Sequence, residues 1–251
     1  MLGAERERTM PEMIQAIRLL QQVPLFRGLN SAELSAVARA AQSCRIERGE
    51  FFFQQGATAD IVYVLHQGRV KLMQSTPEGL HVVFRFIGPG ELFGPMAAFE
   101  GQVYPVSAQA VRWCRALCWK GRTMAGLMET YPHIAINAVR ELTARLRSLR
   151  ELYRELATER VERRVAHALI RLADQAGWKT EDGVLIDMPL SRQDLAEMTG
   201  TTLYTVSRIL SGWQRDGLLD IGRQRVTILD SPGLIAIAAD LQKVKTERPR
   251  R

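Results

Sequence analysis

Residues 190–221, LSRQDLAEMTGTTLYTVSRILSGWQRDGLLDI, read as a helix-turn-helix followed by a wing. Ser191 can cap a first helix, and Asp194, three positions on, completes a capping-box-like start. Leu195, Ala196 and Met198 supply the apolar side of that helix, Gly200 breaks it, and Thr201 or Thr202 can cap the next. In the second helix Val206, Ile209, Leu210 and Trp213 share one face at helical spacing. Leu203, Tyr204, Ser207 and Arg208 share the opposite face. A short helix with an apolar back and a mixed polar front is what a DNA major groove admits. Leu219–Gly222 and Arg225–Leu229 then flank a tight turn at Gly222-Arg223-Gln224, which is a wing and argues against a plain helical hairpin. The partner these residues indicate is double-stranded DNA.

The chain of 251 residues has room for two ordinary domains. Its net charge of +7 suits an anionic partner, although part of it comes from Lys243, Lys245, Arg248, Arg250 and Arg251, which read as a solvated tail. No apolar run reaches membrane length and no secretory segment opens the chain, so a cytoplasmic protein without a membrane partner is expected. Three cysteines, Cys44, Cys114 and Cys118, have no framework spacing and point to a reducing compartment. Cys114 and Cys118 read either as a redox pair or as small hydrophobes beside a strand.

An amphipathic helix is expected over 12–22 and another over 31–42. From about 43 to 128 glycines punctuate short runs rich in Val, Phe and Tyr, among them Ile61–Leu65, Val70–Met73 and Val82–Phe86. Strands at that spacing indicate a small antiparallel barrel or jelly roll, solid or holding one small ligand. After Pro132, Ala135, Val139, Leu142, Leu146, Leu149, Tyr153 and Leu156 are spaced 4, 3, 4, 3, 4, 3, with Arg and Glu between them. That heptad seam favours a parallel two-helix homodimer over a helix that covers its own domain. A two-fold protein reads a near-palindrome with half-sites about one turn apart.

A glycine-punctuated β-roll, a long dimer helix and a winged helix-turn-helix, in this order, resemble the Crp/Fnr family of bacterial transcription regulators. RGEFFFQQG (48–56), YVLHQGRVKL (63–72), FIGPGELFG (86–94) and the segment quoted above carry the resemblance, which covers roughly residues 20–235. It implies an α+β fold with a cyclic-nucleotide-binding-like antiparallel β-roll (jelly roll). The domains implied are an N-terminal arm and helix over 1–22, a β-roll sensor over 23–131, a dimerisation helix over 132–158, a winged helix-turn-helix over 159–240 and a basic tail over 241–251. It also implies RNA polymerase as a partner, and no enzymatic activity. No phosphate loop, H-E-x-x-H or nucleophile elbow is present.

The chain departs from cyclic-AMP-binding members. Where they carry a glutamate for the ribose hydroxyl after the glycine of the FG element, Gly94 is followed by Pro95, and the arginine that holds the phosphate is replaced by Pro105. Neither proline offers a carboxylate to accept the sugar hydroxyl or a cation to pair with the phosphate, so cyclic AMP is not the expected effector. An iron–sulfur cluster needs four thiolates, and one subunit has three. The string Gly200–Arg208, GTTLYTVSR, is similar to the recognition helix of NnrR-type regulators, and Tyr104–Val111 to an element of DNR-type regulators. Those groups control denitrification and nitric-oxide detoxification genes, and the resemblance implies a nitric-oxide-responsive activator, with haem as the cofactor in DNR-type members.

Phe93, Gly94, Pro95, Met96, Phe99, Tyr104, Pro105 and Ser107 form the expected effector pocket, compatible with a planar hydrophobic cofactor and equally with a filled core. His66, His81, His133 and His167 are the histidines available as axial ligands. His81 shares strand parity with Val83 and Arg85, whereas Phe84 and Phe86 take the other side, so His81 should face outward. At the DNA, Leu203 and Tyr204 stand where family members carry arginine and glutamate. Leucine cannot make the bidentate guanine contact, which leaves Ser207 and Arg208, with Arg208 the reader of guanine. Ser191, Arg192, Gln193, Thr201 and Thr202 complete the expected interface, chiefly as caps and backbone contacts. The rival reading is a regulator of the same build with a vacant pocket, acting constitutively or answering to another ligand or to cysteine redox state. The metal, if any, is open.

Overall fold

The computed structural model describes residues 9–94, 103–222 and 225–240. Pro95, Met96 and Phe99 of the expected pocket, the wing-turn residues Arg223 and Gln224, residues 1–8 of the arm and the basic tail lie outside the described residues. The chain divides into two compact units between Arg150 and Glu151.

In the first unit, helices α1 (Met10–Gln22) and α2 (Ser31–Ala40) precede the strands. Asn30 caps α2: its side chain accepts from the amides of Ala32 and Glu33 at 2.9 and 3.0 Å, and Glu33 accepts from the Asn30 amide. The strands are β1 (Gln42–Ile46), β2 (Phe51–Phe53), β3 (Ile61–Gln67), β4 (Val70–Ser75), β5 (His81–Ile87), β6 (Leu92–Phe93), β7 (Ser107–Ala110) and β8 (Cys114–Lys120). They form two antiparallel sheets, ordered β1-β8-β3-β6 and β2-β7-β4-β5. Helices α3 (Gly121–Thr130) and α4 (Pro132–Thr158) follow.

The central strands of the first sheet are apolar on both faces. Tyr63, Leu65, Cys114, Ala116 and Cys118 point into the roll, while Val62, Val64, Leu117 and Trp119 pack under the helices. Trp119 is the hub of the helical side: its indole N–H donates to the Val37 carbonyl at 3.0 Å and its ring meets Phe26. Inside the roll, Phe52, Phe53, Tyr63, Phe93 and Tyr104 make one aromatic cluster. Phe53 stacks on Tyr104 at 3.8 Å and Tyr63 on Phe93 at 5.0 Å. Gly68 is obligatory in the β3–β4 turn, because its φ is +101° and a Cβ there would lie 2.4 Å from the Trp113 carbonyl.

Two expectations are corrected here. A bulge in β5 sets Leu72 opposite Arg85 and Met73 opposite Val83, so Phe84 drops out of the alternation. Val83 and Phe86 are buried and Phe84 is turned outward, whereas parity alone had paired Phe84 with Phe86; His81 is exposed. The cysteines also differ. Cys114 and Cys118 lie four positions apart on one strand, roughly 13 Å along it, too far for a bond. Instead Cys44 on β1 is joined to Cys118 on the adjacent β8, and Cys114 remains a buried thiol.

The second unit contains α5 (Val161–Ala176), a hairpin of β9 (Gly177–Lys179) and β10 (Val184–Ile186), α6 (Arg192–Thr199), α7 (Leu203–Arg215), β11 (Leu219–Gly222), β12 (Arg225–Ile228) and α8 (Ser231–Ala238). Its sheet is ordered β11-β12-β10-β9, so the hairpin of the wing continues into an earlier one. Strands of three residues show no periodicity, which is why β9 and β10 are silent in the sequence.

The Tyr104 hydroxyl donates to the Ile61 carbonyl at 2.9 Å and accepts from the Ile61 amide at 3.2 Å, holding the start of β3. Tyr104→Phe keeps the stacked ring but strands both backbone groups. A loss of about 1–3 kcal/mol in the denaturant transition of this unit is expected; an unchanged midpoint would show that the hydroxyl contributes nothing.

Candidate nucleic-acid interface

Local chemistry shapes the reading head. Ser191 caps α6: its hydroxyl accepts from the Asp194 amide at 3.0 Å, and the Asp194 carboxylate accepts from the Ser191 amide and hydroxyl at 3.0 and 2.6 Å. Gly200 ends the helix in the left-handed region at φ +60°. A Cβ at Gly200 would press on Leu156 at 3.2 Å. Thr202 caps α7 by accepting from the Thr205 amide at 3.2 Å. Val206, Leu210 and Trp213 are buried behind α7, with Ile209 at the margin.

The front of α7 is open. Leu203, Tyr204 and Arg208 are exposed, Tyr204 at 78%, and Ser207 is half-buried beside them. Arg192 and Gln193 are exposed at the start of α6, where Gln193 donates to Glu197 at 2.9 Å. A groove of about 420 Å³ brings Ser191, Arg192 and Gln193 together with Leu203 and with Gly222 and Arg225 of the wing. The positive end of α6 and two guanidiniums on one groove suit a DNA phosphate. Thr201 is half-buried in the turn and Thr202 is engaged as the cap.

Sequence reasoning missed two residues here. Arg225 is the first residue after the wing turn, and its only signal was a cation beside that turn. Arg164 on α5 donates to the Glu159, Thr199 and Gly200 carbonyls at 2.9, 2.9 and 3.3 Å. It therefore ties the start of α5 to the turn between α6 and α7, a role that needs the fold to be seen. Beside it the buried Glu159 carboxylate meets Arg154 at 2.9 Å, Arg163 at 3.5 Å and His167 at 3.3 Å, and Glu155 takes both bonds from Arg171.

Helix α4 carries two stripes. Within the first unit Ile134, Asn137 and Arg145 face the roll: Asn137 donates to the Leu25 and Arg27 carbonyls at 3.1 and 2.8 Å, and Arg145 to that of Leu92 at 2.8 Å. Burial, with Arg85 nearby, lowers the Arg145 pKa. The expected seam residues Val139, Leu142, Leu146, Leu149, Tyr153 and Leu156 are all exposed, Tyr153 at 73%. Ile136 joins them.

Of the expected effector pocket, Phe93 and Tyr104 are buried in the aromatic cluster. Gly94 turns at φ +78° against the Ile61 carbonyl, Pro105 is exposed, and Ser107 accepts from the Gln55 amide at 2.9 Å. Burial raises the pKa of both Tyr63 and Tyr104. Among the described residues the rings pack against one another, and both tyrosine hydroxyls are bonded to backbone. None of the four histidines lies among the rings. His66 is half-buried at the irregularity near the end of β3, and burial lowers its pKa. His81 pairs with Ser75, His133 is exposed and His167 is held by Glu159. Among the described residues no cluster of three or more His, Cys, Asp or Glu could hold a metal, and no helix is long and apolar enough to cross a membrane.

The chain matches the cyclic nucleotide-binding domain over residues 43–131 and the Crp-like helix-turn-helix domain over residues 163–237. It is 29% identical over 218 residues to the cyclic AMP receptor protein of Thermus thermophilus, covering 87% of this chain and 98% of that one. It is 26% identical over 212 residues to the transcriptional activator FnrA of Stutzerimonas stutzeri, covering 84% and 86%. The fold is shared with FixK2 of Bradyrhizobium japonicum, at a TM-score of 0.70 and 21% identity, covering 78% of this chain and 96% of FixK2. A roll, a long helix and a winged reading head in this order, with both domain families matched in that order, place the chain in the Crp/Fnr family of DNA-binding transcription regulators.

Proposed function

We propose that the chain is a homodimeric, sequence-specific regulator of nitrogen-oxide and denitrification-type genes that does not answer to cyclic AMP. The observation that carries this reading is the front of α7, where Leu203, Tyr204, Ser207 and Arg208 form the presented surface. Arg208 is the side chain there able to grip guanine by two parallel bonds, and Tyr204 offers a hydroxyl or a ring face to a thymine methyl. The GTTLYTVSR string that supplies this front is what likens the chain to nitrogen-oxide-responsive members. The exposed seam of α4 supports the dimer, because seven large apolar side chains along one helix stand exposed in a single chain. Dimerisation sets two α7 helices on a near-palindrome. RNA polymerase is the protein partner of an activator of this kind.

Cyclic AMP is disfavoured on charge. With Pro105 where the phosphate-binding arginine would stand, a cyclic phosphate in the roll lacks that cation. The cluster of rings supports a second reading: a roll whose interior is filled by its own side chains and whose DNA binding is constitutive.

Selection of bound duplexes from random DNA tests the first part. A near-palindrome distinct from TGTGA half-sites is expected, and recovery of TGTGA would overturn the reading of α7. Arg208→Ala should weaken the selected site by roughly 1–3 kcal/mol and relax preference at one base pair per half-site. Equal weakening of every sequence would make Arg208 a phosphate anchor. Operator affinity measured with and without a nitric-oxide donor separates regulated from constitutive binding. Leu146→Asp combined with Leu149→Asp should give a monomer by sedimentation and abolish tight operator binding; a persistent dimer would place the interface elsewhere.

A further inference from the structure

The three cysteines differ sharply in setting. Cys44 lies on β1, an edge strand that pairs only with β8, and it is part-exposed between exposed Ser43 and Arg45. Cys118 lies on β8 between β1 and β3, is 1% exposed, and sits in the inner core opposite Tyr63. Cys114, at 0% exposure, donates to the Arg69 and Arg112 carbonyls at 3.3 and 3.2 Å. Burial raises its thiol pKa, which keeps it protonated and unreactive. Nothing in the DNA-reading mechanism uses any of them.

We propose that Cys44–Cys118 is a reversible thiol–disulfide site that exchanges with a small thiol and its disulfide of the glutathione class, with Cys44 as the entry sulfur. In the opening direction the thiolate of the small thiol attacks the Cys44 Sγ. A mixed disulfide forms there, the Cys44–Cys118 bond breaks, and its electron pair leaves on the Cys118 Sγ, which takes a proton. A second small thiol attacks the sulfur of the first, forms the small disulfide and releases the Cys44 thiol. Two small thiols are oxidised and one protein disulfide is reduced; closure is the reverse, with the small disulfide as oxidant. Accessibility sets the direction, because Cys118 is buried on a strand flanked by β1 and β3 whereas Cys44 is part-exposed on the edge strand.

The fold accommodates both states. Released, the Cys118 thiol finds the Gln42 carbonyl at 3.5 Å, so the buried group keeps an acceptor, and the β1–β8 backbone pairs from Gln42 to Ile46 persist. What opening removes is the tie between positions 74 apart, which holds the edge strand to the centre of the sheet. The first unit is therefore more stable oxidised than reduced. This inference is independent of the reading given for α7.

The test uses the full-length chain equilibrated in buffers of graded glutathione-to-glutathione-disulfide ratio, acid-quenched, unfolded, alkylated and weighed. One alkylated cysteine, Cys114, is expected at the oxidising end and three at the reducing end, with the same midpoint approached from either side. The wild-type melting temperature should fall with reduction, and that of Cys44→Ser should not respond. With glutathione disulfide alone, Cys118→Ser should acquire one glutathione at Cys44, and Cys44→Ser none at Cys118. Three free thiols at every ratio would overturn the site, and an adduct confined to Cys118 in Cys44→Ser would overturn Cys44 as the entry sulfur. Should either variant fail to fold, the mixed disulfide trapped in the wild-type chain at intermediate ratios decides: glutathione on Cys44 supports it as the entry sulfur, and glutathione on Cys118 overturns it.

Discussion

The organising constraint is the double duty of α4. Its inner stripe is committed to the roll through Ile134, Asn137 and Arg145, and its outer stripe from Ile136 to Leu156 is apolar and uncovered. A helix cannot rotate to bury both stripes in one chain, since they lie on different sides of the same cylinder. An apolar stripe exposed in a single chain is what the proposed dimer would cover. The inner stripe is fixed by specific bonds, above all Asn137 on two carbonyls of the segment after α1.

Within the second unit, precision comes from small polar devices. The Ser191–Asp194 capping box fixes where α6 begins, and the left-handed Gly200 and the Thr202 cap fix where it ends and α7 begins. Arg164 spans from the Glu159 carbonyl to the α6–α7 turn, and the buried Glu159 gathers Arg154, Arg163 and His167. Buried ion pairs of this sort add little net stability, yet losing one partner leaves a charge stranded. They suit a region whose geometry matters more than its strength, because a small displacement of α7 changes which base edges its front can reach.

The roll presents the opposite balance. Its interior is a packed set of five rings, with tyrosine hydroxyls turned back onto the backbone. Such packing is stiff and costly to open. Its evident chemical handle is at the rim, on edge strand β1, where the part-exposed Cys44 packs against the inner core and is bonded to Cys118.

The sequence by itself determined the reading head, the roll and the seam. Helical spacing, caps and a glycine stop are local, and period-two strands between glycines are nearly so; a heptad of apolar residues is visible without any partner. Only the tertiary structure decided what depends on contacts between distant segments. Which cysteine meets Cys118 follows from the β1–β8 register, because strand-mates four apart cannot touch. The side that Phe84 takes follows from a bulge that no alternation predicts. That Phe93 and Tyr104 serve as packing follows from the rings of Phe53 and Tyr63 reaching them from other strands. Arg164 acquired its role only when Thr199 and Gly200, thirty-five and thirty-six positions on, were brought to its guanidinium.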